Sequence, residues 1–139
     1  MVIVDTGFWL ALVNRRDSDH ERAVACLEKI REPLITTWPA VTETSLLLCA
    51  RLGNRAQRSF LGSYANGAFS VFDLTPEHIP HVIHLMQKYE DLPMDLADAS
   101  MVVLAEHLGH GRILSTDRRD FDTYRWKHHE PFQNLLNPG

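Results

Sequence analysis

Four carboxylates stand out by what surrounds them. Asp5 ends the β-branched run Val2-Ile3-Val4, and Asp117 follows Ile113-Leu114-Ser115-Thr116. Glu43 has Pro39, Ala40, Leu46 and Leu47 as its neighbours at helical spacing, with no Lys or Arg within a turn to pair with it. A carboxylate so placed is partly desolvated, which is costly unless something compensates. Asp98 opens an apolar helix three residues after Asp95. Asp is a favoured N-cap and suits the positive end of a helix dipole. Capping explains one of this pair easily and both less well, so Asp98 is read as functional and Asp95 as cap or accessory. Asp120 lies three residues beyond Asp117, with Arg118 and Arg119 between them.

Each acid also has a plainer reading. Asp5 can be a turn residue, and the Asp117–Asp120 segment a solvated loop. Gathered at one place, however, carboxylates repel and raise one another's pKa. A hard divalent cation with oxygen ligands relieves that repulsion. Mg²⁺ or Mn²⁺ with carboxylates and water suits phosphoryl chemistry. No Cys/His ligand spacing supports zinc. His78, His81 and His84 recur every third residue on the polar side of their helix and read as a solvated face, and His128-His129 has no evident partner. Arg15, Arg16, Arg51, Arg55, Arg58, Arg118 and Arg119 are available for phosphate contacts. Arg118 and Arg119 are the first candidates, because they flank Asp117.

The elements that must position these groups alternate in type. Strands are expected at residues 2–4, 34–36, 69–72 and 112–116, with a short fifth near 124–126 or 132–136. Residues 5–7 read as a turn into the apolar stretch 8–13. Helices are expected at 17–31, where Ala23, Val24, Leu27 and Ile30 recur at helical spacing, and at 38–52, 54–65 and 96–108. Another starts at Thr75-Pro76, although Pro80 disturbs its first turn. Alternating strands and helices imply a parallel sheet with right-handed crossovers and helices on both faces. In such sheets sites form beyond the carboxyl ends of strands, where Asp5 and Asp117 stand.

At 139 residues the chain fits a single domain, 1–139, with a core that needs no disulfides. Cys26 and Cys49 lie in helical, apolar surroundings and read as buried reduced thiols. The net charge of −4 excludes a generally basic nucleic-acid binder. No run approaches the roughly 18 apolar residues of a membrane span. With a strand at the first residues there is no room for a signal peptide, so a cytoplasmic protein is expected.

Taken in order, Val-Ile-Val-Asp-Thr-Gly-Phe-Trp-Leu-Ala-Leu, Thr-Glu after a Trp-Pro helix start, Leu-Ala-Asp-Ala and Leu-Ser-Thr-Asp resemble the PIN domain. The resemblance spans essentially the whole chain. It implies an α/β/α sandwich round a central parallel sheet of four to five strands, and a Mg²⁺- or Mn²⁺-dependent endoribonuclease. Asp5, Glu43, Asp98 and Asp117 match the acidic quartet, as metal ligands and catalytic groups. Thr6 and Thr116 match hydroxyl positions that support the acids, and Asp120 a less constant acid. The short form resembles the toxin of VapBC toxin–antitoxin pairs. That implies an RNA substrate, a cognate antitoxin and a homodimer, for which Phe60, Leu61 and Tyr64 are candidate interface residues. An RNA-processing PIN nuclease and a catalytically dead RNA-binding module are the alternatives, the latter opposed by the presence of all four acids. A haloacid-dehalogenase-like phosphatase also begins with hydrophobics and Asp, but Gly7 stands where that family has a second Asp.

Overall fold

The computed structural model describes residues 1–137. Its strands are β1 (Val2–Val4), β2 (Leu34–Thr37), β3 (Ser70–Phe72), β4 (Arg112–Leu114), β5 (Arg125–Trp126), β6 (Glu130–Pro131) and β7 (Gln133–Asn134). Five of them form a central sheet in the order β3-β2-β1-β4-β7, and every neighbouring pair in it is parallel. Between the strands run α1 (Thr6–Val13), α2 (His20–Lys29), α3 (Trp38–Leu52), α4 (Asn54–Ala65), α5 (Ile79–Lys88), α6 (Leu96–Leu108) and α7 (Arg118–Thr123).

Strand alternation sorts the core into two halves. Ile3, Ile35 and Ile113 face a cluster with Val82 and Leu85 of α5 and Met101, Val102 and Leu104 of α6. Val2, Val4 and Leu114 point the other way, onto Phe8 and Trp9 of α1, Ala23 of α2, Leu48 of α3 and Phe60 of α4. Helices thus cover both faces, as the continuously apolar strands require. The chain enters at β1, moves outward to β2 and β3, then returns to lay β4 on the other side of β1. Crossovers leave in opposite directions at this point, which opens a crevice at the carboxyl ends of β1 and β4.

Several local expectations change. Residues 5–7 are no separate turn, because α1 begins at Thr6 with Asp5 as N-cap. Thr75-Pro76 opens a 3₁₀ turn (Pro76–His78) and α5 starts at Ile79, so Pro80 falls in the first turn, where a missing N–H costs nothing. The segment after Asp117, expected as a loop, is α7, with the Asp117 side chain accepting from Asp120 N at 3.2 Å. Of the two places expected for a fifth strand, 132–136 supplies it, as β7 joins the main sheet. β5 instead pairs antiparallel with β6 in a separate ribbon. Cys26 and Cys49 are free and only half-buried, each with its thiol on a nearby oxygen, Leu135 O and Asn54 Oδ1.

Candidate functional site

Asp5 leaves β1 at the crevice with its backbone extended (φ −91°, ψ 162°). It stands at an N-cap, yet its side chain makes no capping hydrogen bond. Ser115 Oγ donates to Asp5 Oδ2 at 3.1 Å, so the carboxylate is held toward the β4 exit rather than over the first turn of α1 as a cap. The residue is only 5% exposed. Burial, with further contributions from Asp117 and Glu43, pushes its carboxyl up to about 7 against the opposing hydrogen bonds from Thr6 and Ser115. A group at that value is half protonated near neutrality unless a cation holds it ionised.

The other acids reach the same place from three elements. Glu43 lies on α3, one turn in, and its carboxyl is raised by burial while a hydrogen bond from Thr6 opposes the rise. Asp98 is the third residue of α6 and forms a reciprocal capping box with Asp95. Asp98 N donates to Asp95 Oδ1 at 2.8 Å, and Asp98 Oδ2 accepts from Asp95 N at 3.4 Å. The cap geometry therefore includes both acids. Burial, then the charges of Asp95 and Asp5, push the Asp98 carboxyl up to about 8, which no cap requires. Asp117 follows β4 and has a real capping role on α7. Its backbone N–H donates to Ser115 Oγ at 2.9 Å. Asp120 is raised to about 6, by desolvation first and by Asp117 next, with Arg119 opposing.

All four principal acids, together with Thr6, Asp95, Thr116 and Asp120, line one cleft of about 400 Å³ completed by Gly7, Leu10, Leu47 and Pro93. Its lining contains no Lys, Arg or His. Arg118 and Arg119 are on α7 and stay outside it. Thr6 also donates to Ala40 O at 3.5 Å, tying α1 to α3. Thr116 presses on Gly7, where a side-chain Cβ would overlap Thr116 Oγ1, so α1 crosses the β4 exit at its closest.

Two contributors carried little signal in the sequence. Ser115 is fully buried and bridges Asp5 and Asp117. Its position two residues before Asp117, at the exit of a buried strand, was the available clue. Tyr124 donates its hydroxyl to Asp98 Oδ2 at 3.2 Å across 26 positions of sequence, and nothing local marks it. Burial and the Asp98 charge push the Tyr124 phenol upward, so it remains a donor.

The donor set fits a hard divalent cation: carboxylates and hydroxyls, one carboxylate buried, and no basic side chain on the lining. Among the described residues no three or more acids, histidines or cysteines are yet drawn tightly round one point. The carboxylates line the cleft without converging on one point.

A family model described as the PIN domain matches residues 2–127. The chain belongs to the PIN domain family. Ribonuclease VapC26 of Mycobacterium tuberculosis (strain ATCC 25618 / H37Rv) is 30% identical over 124 residues, covering 89% of this chain and 92% of that protein. The crystal structure of M. tuberculosis VapC20, described as a sarcin–ricin loop cleaving toxin, superposes with a TM-score of 0.80 at 21% identity. It covers 86% of this chain and 92% of that one. At that identity the likeness establishes the PIN fold, with its central parallel sheet of five strands between helices. No helix among the described residues is long and apolar enough to cross a membrane.

Proposed function

We propose that this PIN domain is a Mg²⁺- or Mn²⁺-dependent endoribonuclease and the toxin of a type II toxin–antitoxin pair. The carrying observation is the single cleft that Asp5, Glu43, Asp98 and Asp117 line from four different elements, with no Lys, Arg or His in its lining. The likeness to a protein named ribonuclease VapC26 supports ribonuclease activity and a cognate antitoxin.

Asp5, Glu43, Asp98 and Asp117 would hold the ion. When bound, it supplies positive charge for the transition state and makes water nucleophilic near neutral pH. The chain's own residues prepare that position. Ser115 orients Asp5 and braces the backbone of Asp117. Tyr124 and the Asp95 backbone fix Asp98. Thr6 holds Glu43. Arg118 and Arg119, exposed on α7 directly after Asp117, are the candidates to contact phosphates flanking the scissile one.

Cleavage of a labelled RNA should require Mg²⁺ or Mn²⁺ and leave 5′-phosphate and 3′-hydroxyl ends. Undiminished cleavage in excess EDTA, or cyclic phosphate products, overturns the reading.

The same reading includes a homodimer. Phe60 is buried in the core and unavailable, which removes it from the expected interface, while Leu61 stays exposed and Tyr64 is half-buried. A stronger basis is the groove of about 650 Å³ beside the acidic cleft, where Trp38, Leu46 and Leu96 are exposed next to Glu43 and Asp95. Isolated apolar residues are ordinary on a surface, but a contiguous group marks an interface. Light scattering should give twice the chain mass at micromolar concentration and the chain mass for Leu46→Glu. A wild-type monomer removes self-association from the proposal.

A further inference from the structure

Three histidines that do not line the acidic cleft come together where α5 faces the β5–β6 ribbon. His81 and His84 lie one turn apart on α5, and His128 sits at the turn of the β5–β6 ribbon. Their ring centroids form a nearly equilateral triangle: His81–His84 6.3 Å, His81–His128 6.0 Å and His84–His128 6.2 Å. The two α5 rings are nearly parallel at 19°, and the His128 ring stands edge-on to both, at 73° and 74°.

The surroundings hold this triangle in place. Lys127 and His128 adopt positive φ values of 49° and 70°, the only non-glycine residues among those described to do so. L-residues with long side chains disfavour that conformation, and a turn of this kind ordinarily takes Asn and Gly. Glu106 of α6 fixes the turn where it is. Its Oε2 accepts from Lys127 N at 2.7 Å, while its Oε1 accepts from His81 Nε2 at 2.9 Å. A carboxylate can only accept, so Nε2 of His81 carries a proton and Nδ1 is the nitrogen left to face a metal. A histidine whose second nitrogen donates to a carboxylate is the usual arrangement of a metal-bound imidazole.

We infer that His81, His84 and His128 form a transition-metal site of the Zn²⁺, Ni²⁺ or Cu²⁺ class, which clips the β5–β6 ribbon to α5. Imidazole is the ligand these ions prefer, whereas Mg²⁺ and Mn²⁺ prefer carboxylates. Metal–nitrogen bonds of about 2.0–2.1 Å at tetrahedral angles put imidazole centroids roughly 5 Å apart. The observed spacing is wider, and the rings do not yet close on one point. His84 and His128 are exposed, and closure on an ion requires both side chains to rotate inward. The fourth position is left to water. Glu106 stands eight residues along α6 from Asp98, about 12 Å of helix rise, so this site is separate from the acidic cleft and independent of the function proposed there.

The test is calorimetric titration of the untagged full chain with Zn²⁺ and with Ni²⁺. Wild type and Asp98→Asn should each bind one ion at this site with micromolar or tighter Kd. His84→Ala and His128→Asn should weaken binding at least tenfold; Asn is chosen at 128 because it tolerates positive φ while removing the imidazole. Glu106→Gln should weaken it by about 10- to 100-fold through its hold on His81. Circular dichroism of each variant confirms folding. Absence of binding in wild type overturns the inference. So does binding unchanged in both histidine variants, or binding abolished by Asp98→Asn alone, which would place the ion in the acidic cleft.

Discussion

Asp98 concentrates the tension at the residue scale. It completes a capping box, accepts from a buried phenol, and lies near two other carboxylates that raise its proton affinity. Asn keeps the side chain's shape and most of its hydrogen-bonding capacity while removing the charge. Asp98→Asn should therefore abolish metal-dependent cleavage without destabilising the metal-free chain. A gain on the order of 1 kcal/mol is expected, kept small by solvent screening at a site that is partly open. Mg²⁺ should raise the melting temperature of wild type more than that of the variant. If Asp98 served only as a cap, Asn would cap nearly as well, and both cleavage and the Mg²⁺-induced shift would persist. Paired melts with one cleavage assay separate these outcomes. The Asp5 side chain, by contrast, abandons the cap it could make for a bond to Ser115, so its position cannot be explained by helix initiation.

At the scale of elements, the cleft depends on how closely α1 passes the end of β4. Gly7 permits that approach, because a Cβ there would overlap Thr116 Oγ1. The backbone of Gly7 is helical, so alanine's better helix propensity would stabilise an isolated α1. The overlap should reverse the sign. Gly7→Ala is expected to lower stability by about 1–3 kcal/mol, the usual cost of overpacking, and to reduce cleavage by displacing Asp5. Removing the hydroxyl as well, in Gly7→Ala with Thr116→Ala, should recover most of the stability, since the remaining Thr116 Cβ lies at ordinary contact distance, 3.5 Å. Denaturant melts of the two single variants and the double variant measure this coupling. Additive effects would show that α1 and the β4 exit are not in the contact described.

For the whole molecule, four raised carboxyls tie stability to pH, Glu43 among them. Asp5, Asp98 and Asp120 hold protons in the folded chain at about 7, 8 and 6, against 3.8 for an ordinary Asp. Between the unfolded and folded values the native state binds more protons, so stability falls as pH rises through that window and levels off above it. His110 is shifted downward by burial and works in the opposite direction below its ordinary value of 6.5. The informative window is thus from about pH 6.5 to 8.5, where Asp5 and Asp98 dominate. In EDTA the melting temperature should decline across it. Mg²⁺ competes with protons for the carboxylates, so the Mg²⁺-induced rise should be larger at pH 8 than at pH 6.5. A metal-free melting temperature that climbs from pH 6.5 to 8.5 would contradict the raised values.

The elements are legible in the sequence because their signals are local. Continuous β-branched runs mark strands buried on both faces, and a Thr cap with Pro behind it starts α3 where expected. The acids at strand and helix ends are visible for the same reason, since an unpaired carboxylate beside an apolar run is conspicuous within one turn of chain. Local signals say nothing where the outcome rests on a distant neighbour. Whether 124–126 or 132–136 extends the main sheet depends on which backbone reaches the β4 edge, and Gln133 N is fixed by Gly111 O at 2.8 Å across the fold. The amphipathic pattern of α4 leaves Phe60 available for an interface, yet the ring packs against Trp9 and Phe69. Ser115, Tyr124 and the partners of His128 are likewise settled only by packing. Sequence period decides which face of an element is apolar, whereas a hydrogen bond to a residue 26 or 110 positions away exists only once the sheet has brought both ends together.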